Sequence, residues 1–169
     1  IHPGTESAYM FAATPTQAGD TLFICTPRDI VIALDADTGK ERWRHDPKVD
    51  TTGVVMVVCR GVAYHEAHSA VPDCPRRILV ATVDARMIAL DAATGARCQS
   101  FGQNGEISLR VNLGDVTPGF QFVTSPASVV GDAAIVGGFV LDGVATHMPS
   151  GVVRAFDAIT GKELWGWDA

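Results

Sequence analysis

The chain has 169 residues, of which 47% are hydrophobic and 19% charged, with a net charge of −6. That length supports one domain with a real core, and the hydrophobic content excludes a disordered chain. The acidic balance excludes a nucleic-acid partner, which would need a basic face, and no apolar run approaches the ~20 residues of a membrane helix.

The chain opens on "IHPGTESAYMF" without an initiator methionine and stops at "GWDA", so both ends read as cut from something longer. From the amino end, strands are expected in "AATPTQ", "TLFICTP", "IVIALDA" and "ERWRHD", each short and either alternating or apolar. Cys25 lies in the alternating run "LFICT" and is expected as a buried free thiol.

Residues 59–68, "CRGVAYHEAH", are polar for this chain. Cys59 and Cys74 bracket that segment and would pair if the compartment is oxidising. Cysteine and histidine are also zinc ligands, which makes Cys59, His65, His68 and Cys74 a candidate set. Their spacing matches no common finger, and on a strand residues 65 and 68 would face opposite sides. "CRGVAYHEA" is therefore expected as a strand, followed by "RILVATV", "MIALDA" and "RCQSFG". A third group follows: "VTSPASVV", "AAIVGGFV", "VVRAFDA" and "ELWGWD". No stretch reads as a long amphipathic helix.

The three groups share one frame, Ala-x-Asp-Ala-x-Thr-Gly, around Asp35, Asp91 and Asp157, spaced 56 and 66 residues apart. Asp and Thr can bond backbone N–H groups, and Gly39, Gly95 and Gly161 supply positive φ, so each frame is a turn between two strands. The same turn closing each four-strand group favours an all-β partial β-propeller over a β-sandwich. The blade-like units span about residues 11–46, 56–102 and 121–168. Trp43 and Trp165 each lie eight residues past their aspartate, where the middle unit has Gln99. Both indoles are expected between sheets, with a weaker junction at Gln99.

With its tryptophan, the frame resembles the tryptophan-docking motif of quinoprotein dehydrogenases, and "CRGVAYHE" with "DCPRRILVATVDARMIALDAATG" is similar to their membrane-bound glucose and quinate dehydrogenase branch. The resemblance runs from about Phe11 to Asp168 and implies roughly three blades of an eight-bladed propeller. It implies pyrroloquinoline quinone as cofactor, a divalent cation (calcium or magnesium), and oxidation of a sugar, polyol or cyclic hydroxy acid such as quinate. Ubiquinone would be the electron acceptor, and the parent protein would be membrane-anchored on the periplasmic face of a bacterial inner membrane. By the same resemblance Arg60 pairs with a carboxylate of the anionic quinone, a role suited to a guanidinium fork. Thr124 is the second implied cofactor contact. The vicinal cysteines and metal-binding glutamate of soluble alcohol dehydrogenases are missing from "GVVMVVC" and "THMPSG". The cation ligands are therefore unassigned, the general base is expected beyond residue 169, and the isolated fragment is expected to be inactive. A non-catalytic scaffold propeller is the competing reading.

Overall fold

The computed structural model describes residues 9–168, and among them there is no helix. Three four-stranded antiparallel sheets follow one another along the chain. The first is β1 (Thr16–Ala18), β2 (Thr21–Cys25), β3 (Val31–Asp35) and β4 (Glu41–His45). The second is β5 (Ala63–Glu66), β6 (Arg76–Ala81), β7 (Arg86–Asp91) and β8 (Glu106–Ser108). A two-stranded ribbon pairs β9 (Gln121–Phe122) with β12 (Phe139–Val140), and the third sheet is β10 (Ser128–Val130), β11 (Ala133–Val136), β13 (Val152–Asp157) and β14 (Glu163–Asp168). β5 touches both β1 and β10, so the first strands of the three sheets lie side by side on the inner edge. The chain is an all-β partial propeller.

Several strands differ from expectation. Within "CRGVAYHEA" only Ala63–Glu66 is strand, because residues 59–62 bond to neighbouring units instead of to β6. "RCQSFG" contributes only isolated bridges, Leu90 to Arg97 and Gly102 to Glu106, and Glu106–Ser108 forms the fourth strand. "VTSPASVV" is strand only from Ser128, and "GGFV" leaves the third sheet to pair with β9.

Each frame builds the same turn. The Oδ1 of Asp35 accepts the Thr38 N–H (2.9 Å) and hydroxyl (2.7 Å), and the Gly39 N–H closes onto the Asp35 carbonyl. Asp91 with Thr94 and Asp157 with Thr160 repeat the pattern within tenths of an ångström. The aspartates are consumed by backbone geometry. They are structural.

The middle sheet is buried on both faces. Ile78, Val80, Ile88 and Leu90 pack with Phe23, Val31 and Ala33 of the first sheet, while Leu79, Ala81, Met87 and Ala89 pack with Ala134, Val136 and Phe156 of the third. That is why β6 and β7 read as continuous apolar runs while β2 alternates: a strand covered on both faces has no solvent side to keep polar.

The turns are the docking points between sheets. Trp43 reaches from β4 to the second unit's turn, donating its indole N–H to the Ala92 carbonyl (3.1 Å). Its ring lies so close to Gly95 (φ 72°) that a Cβ there would fall 2.5 Å from the indole. At the next junction Gln99 only bonds the Arg97 carbonyl, and other groups fill the contact. Fully buried Phe101 packs there, the Gly102 N–H bonds the Thr160 carbonyl (2.9 Å), and Ile107 approaches Gly161. Arg77, with 0% exposure, donates to the carbonyls of Ala158, Ile159, Asp73 and Cys74. The expected weak junction is thus occupied by an arginine and a phenylalanine. Trp165 also departs from expectation: at 46% exposure it faces no sheet among the described residues, although it pairs with Ala155 as Trp43 pairs with Ala33.

Truncating a large buried aromatic costs ~3–5 kcal/mol, and a surface change usually stays within about 0.5 kcal/mol. Trp43 is partly buried, so Trp43→Ala should lower unfolding free energy by about 3 kcal/mol while Trp165→Ala changes it little. Urea titrations of the two variants check this, and equal losses would contradict docking by Trp43 alone.

Candidate functional site

The inner strands β1, β5 and β10 all begin at one end of the sheets, and the chain just ahead of each is stitched to its neighbour. Thr14 donates its N–H to the Arg60 carbonyl (2.9 Å), and Arg60 donates its N–H to the Thr124 carbonyl (2.8 Å). Thr16 Oγ1 adds a bond to the Val62 carbonyl (2.7 Å). Arg60 and Thr124, 64 positions apart in sequence, are thereby held at equivalent places in adjacent units. The guanidinium Nη1 donates to the Thr124 hydroxyl, and Nη2 lies 3.7 Å from the Met56 sulfur. Thr124 is buried at 8% exposure, whereas Arg60 is exposed. Among the described residues Arg60 makes no ion pair, in a chain whose other guanidiniums are often carboxylate-bound.

The connection from β4 to β5 approaches Arg60 over a crossing of two loops. A Cβ on Gly53 would lie 2.6 Å from the Pro118 carbonyl oxygen, so only glycine allows residues 51–54 to meet residues 117–119. Arg110, which donates to the Gln121 carbonyl (3.0 Å), also makes no ion pair among the described residues. Sequence reasoning missed it, since a lone arginine between strands carries no motif.

Cysteine pairing corrects the expectations made from sequence. Cys25 is not a free thiol but is bonded to Cys59, and Cys74 is bonded to Cys98. Cys59 and Cys74 therefore do not pair, and neither is available to zinc. Sequence proximity was misleading because the first bridge joins β2 to the segment ahead of β5, across the packed face between two sheets. The bond anchors the residue next to Arg60 to the neighbouring core.

The histidines also depart from expectation. β5 ends at Glu66, so strand alternation does not extend to His68. His65 Nε2 (2.7 Å) and His68 Nδ1 (3.2 Å) meet the same oxygen, Oδ1 of Asp132, in the β10–β11 turn. These bonds hold the Asp132 carboxyl below its ordinary range. Asp132 carried no sequence signal, because the contact spans two units.

A profile of the PQQ glucose/ethanol/alcohol dehydrogenase beta-propeller domain matches residues 2–169. The chain belongs to this family. It is 40% identical over 183 residues to a quinate/shikimate dehydrogenase (quinone) of Acinetobacter baylyi, a match covering 98% of this chain and 22% of the relative. It is 41% identical over 162 residues to a quinoprotein glucose dehydrogenase of Escherichia coli, covering 92% and 20% respectively. Among solved structures, the quinohemoprotein alcohol dehydrogenase of Comamonas testosteroni superposes with a TM-score of 0.73 at 28% identity, over 97% of this chain and 22% of that one. The chain spans about a fifth of the length of the curated relatives it matches. Both the recognition of a quinoprotein family and the partial-propeller fold are confirmed.

At the same end of the sheets as Arg60, Asp29 is fully buried at φ 56° in the β2–β3 turn. Its Oδ2 accepts the Val83 N–H (2.8 Å), and its Oδ1 has no partner among the described residues. Burial raises its pKa to about 8, against the Val83 bond. A raised carboxyl pKa stabilises the fold fully below the unfolded value near 4, and that stability is lost as pH rises through about 8. Relative to Asp29→Asn, the native chain should therefore become progressively less stable from pH 5 to 8 and level off above. Urea midpoints for both chains at pH 5, 7 and 9 test this; a constant difference would show that Asp29 titrates normally.

Proposed function

We propose that the chain is part of a quinone-dependent dehydrogenase that oxidises a sugar, polyol or cyclic hydroxy acid and uses pyrroloquinoline quinone as the immediate acceptor. The observation that carries this reading is the pairing of Arg60 with Thr124 at the head of the inner strands, in a chain of the PQQ propeller family. An exposed guanidinium without a carboxylate partner fits a tricarboxylated quinone, because two parallel charge-assisted bonds can form along its fork. The Thr124 hydroxyl holds Nη1, and the guanidinium makes no bond to a carboxylate among the described residues.

Within this chain the assigned tasks are binding and orientation. Bound quinone supplies the two-electron acceptor chemistry; the carboxylate base that takes the substrate proton lies in another part of the parent protein. A divalent cation, calcium or magnesium, completes the site with ligands outside the residues assigned here. Quinate-, glucose- and glycerol-type relatives of about equal identity support a polyhydroxylated substrate. Ubiquinone as final acceptor, a membrane anchor and a periplasmic location complete the proposal. The two disulfides are in keeping with an oxidising compartment.

In the intact parent enzyme, Arg60→Ala should weaken pyrroloquinoline quinone binding at least ~10-fold, the equivalent of one lost charge-assisted bond. Apoenzyme titrated with quinone, followed by absorbance, provides the measurement. Unchanged affinity would remove Arg60 from the cofactor site.

A further inference from the structure

We propose that His65, His68 and Asp132 bind one divalent transition-metal ion of zinc-like chemistry, forming a clip between the second and third sheets. The three ligand atoms lie within 4.8 Å of one another. The two nitrogen-to-oxygen separations are 2.7 and 3.2 Å. Metal–ligand bonds of ~2.0–2.1 Å at tetrahedral angles put ligand atoms about 3.3 Å apart, so the His68–Asp132 pair already has the spacing an ion needs and the His65–Asp132 pair has to open by about half an ångström. Two imidazoles with one carboxylate are borderline donors that suit zinc, cobalt or copper and discriminate against calcium, which takes six to eight oxygens.

The cluster stands at the opposite end of β5 from Arg60 and is separate from the proposed cofactor site. Rigid elements place two of its members. His65 is on β5 at 2% exposure, and Asp132 sits in a tight turn whose carbonyl accepts the Ala158 N–H (2.8 Å). His68, with a side chain 70% exposed, closes the set from outside and leaves the remaining coordination to water. His65 has a further consequence for affinity. Binding through Nε2 places its proton on Nδ1, which is buried without a partner among the described residues. Missing outer-shell partners typically weaken metal binding 10- to 100-fold, so this site is weaker than a closed structural zinc site.

The test is equilibrium dialysis of the chelator-stripped protein against cobalt(II), with visible absorbance and thermal midpoint as readouts. The expected result is one cobalt per chain, displaced by zinc but not by a tenfold excess of calcium, and a thermal midpoint that rises with zinc. His68→Ala removes an exposed ligand without opening the core, and it should weaken cobalt binding at least ~10-fold, as should Asp132→Ala. His147→Ala, at an exposed histidine elsewhere, should leave binding unchanged. No retained cobalt, or undiminished binding in both ligand variants, would overturn the proposal.

Discussion

Everything in this structure depends on a sheet being covered by the next sheet. A four-stranded meander of short strands cannot bury both faces alone, and the middle sheet shows what coverage achieves: from Ile78 to Ala81 and from Met87 to Leu90 every side chain is apolar, and the charged residues of β6 and β7 sit at the strand ends. The Asp-x-x-Thr-Gly turn makes such stacking repeatable. It is rigid because the aspartate satisfies the backbone internally, and it presents a glycine where the neighbouring sheet must approach. Trp43 on Gly95 and Ile107 beside Gly161 are two solutions to one steric requirement.

The second junction shows that the requirement is geometric and not tied to tryptophan. Arg77 places a charge in a fully buried position, which burial disfavours, yet every bond it makes is to a backbone carbonyl. Those carbonyls belong to the Asp157 turn and to the loop around Cys74. An uncompensated buried guanidinium would be costly, but one with five donors satisfied serves as a cross-brace. Ser100, bonded to Asp73, extends the same brace.

The repeated turns and their spacing were legible because their causes are local: an aspartate, a threonine and a glycine at fixed offsets. The same holds for β2, β3, β6, β7 and β13, whose apolar runs are set by burial alone. Most of the unread features are contacts between units, and the rest, such as Cys74 with Cys98, join segments distant in sequence within one unit. Neither Cys25 with Cys59 nor His65 with Asp132 leaves a trace in local pattern, and β8 was displaced because residues 97–102 were drawn into the junction with the third sheet. Arg60 and Thr124 were named from resemblance; their meeting across adjacent units is a property of the fold.

That meeting bears on the proposed cofactor site, in which a flexible side chain would have to be held precisely. Arginine carries about 2 kcal/mol of rotamer entropy, much of it lost on binding unless something limits its motion beforehand. Here the backbone of Arg60 is fixed from three directions: by Thr14, by Thr124 and by the bridge from the adjacent Cys59 to β2. In the loop-closure picture a bridge over 34 residues stabilises by about 4 kcal/mol, mainly by restricting the unfolded chain. Its position has a second effect, because it ties the segment displaying Arg60 to a sheet core rather than to another loop. The Thr124 hydroxyl then restrains the guanidinium itself. An anion arriving at this end of the propeller meets a cation whose place is already set by the packing that holds the sheets together.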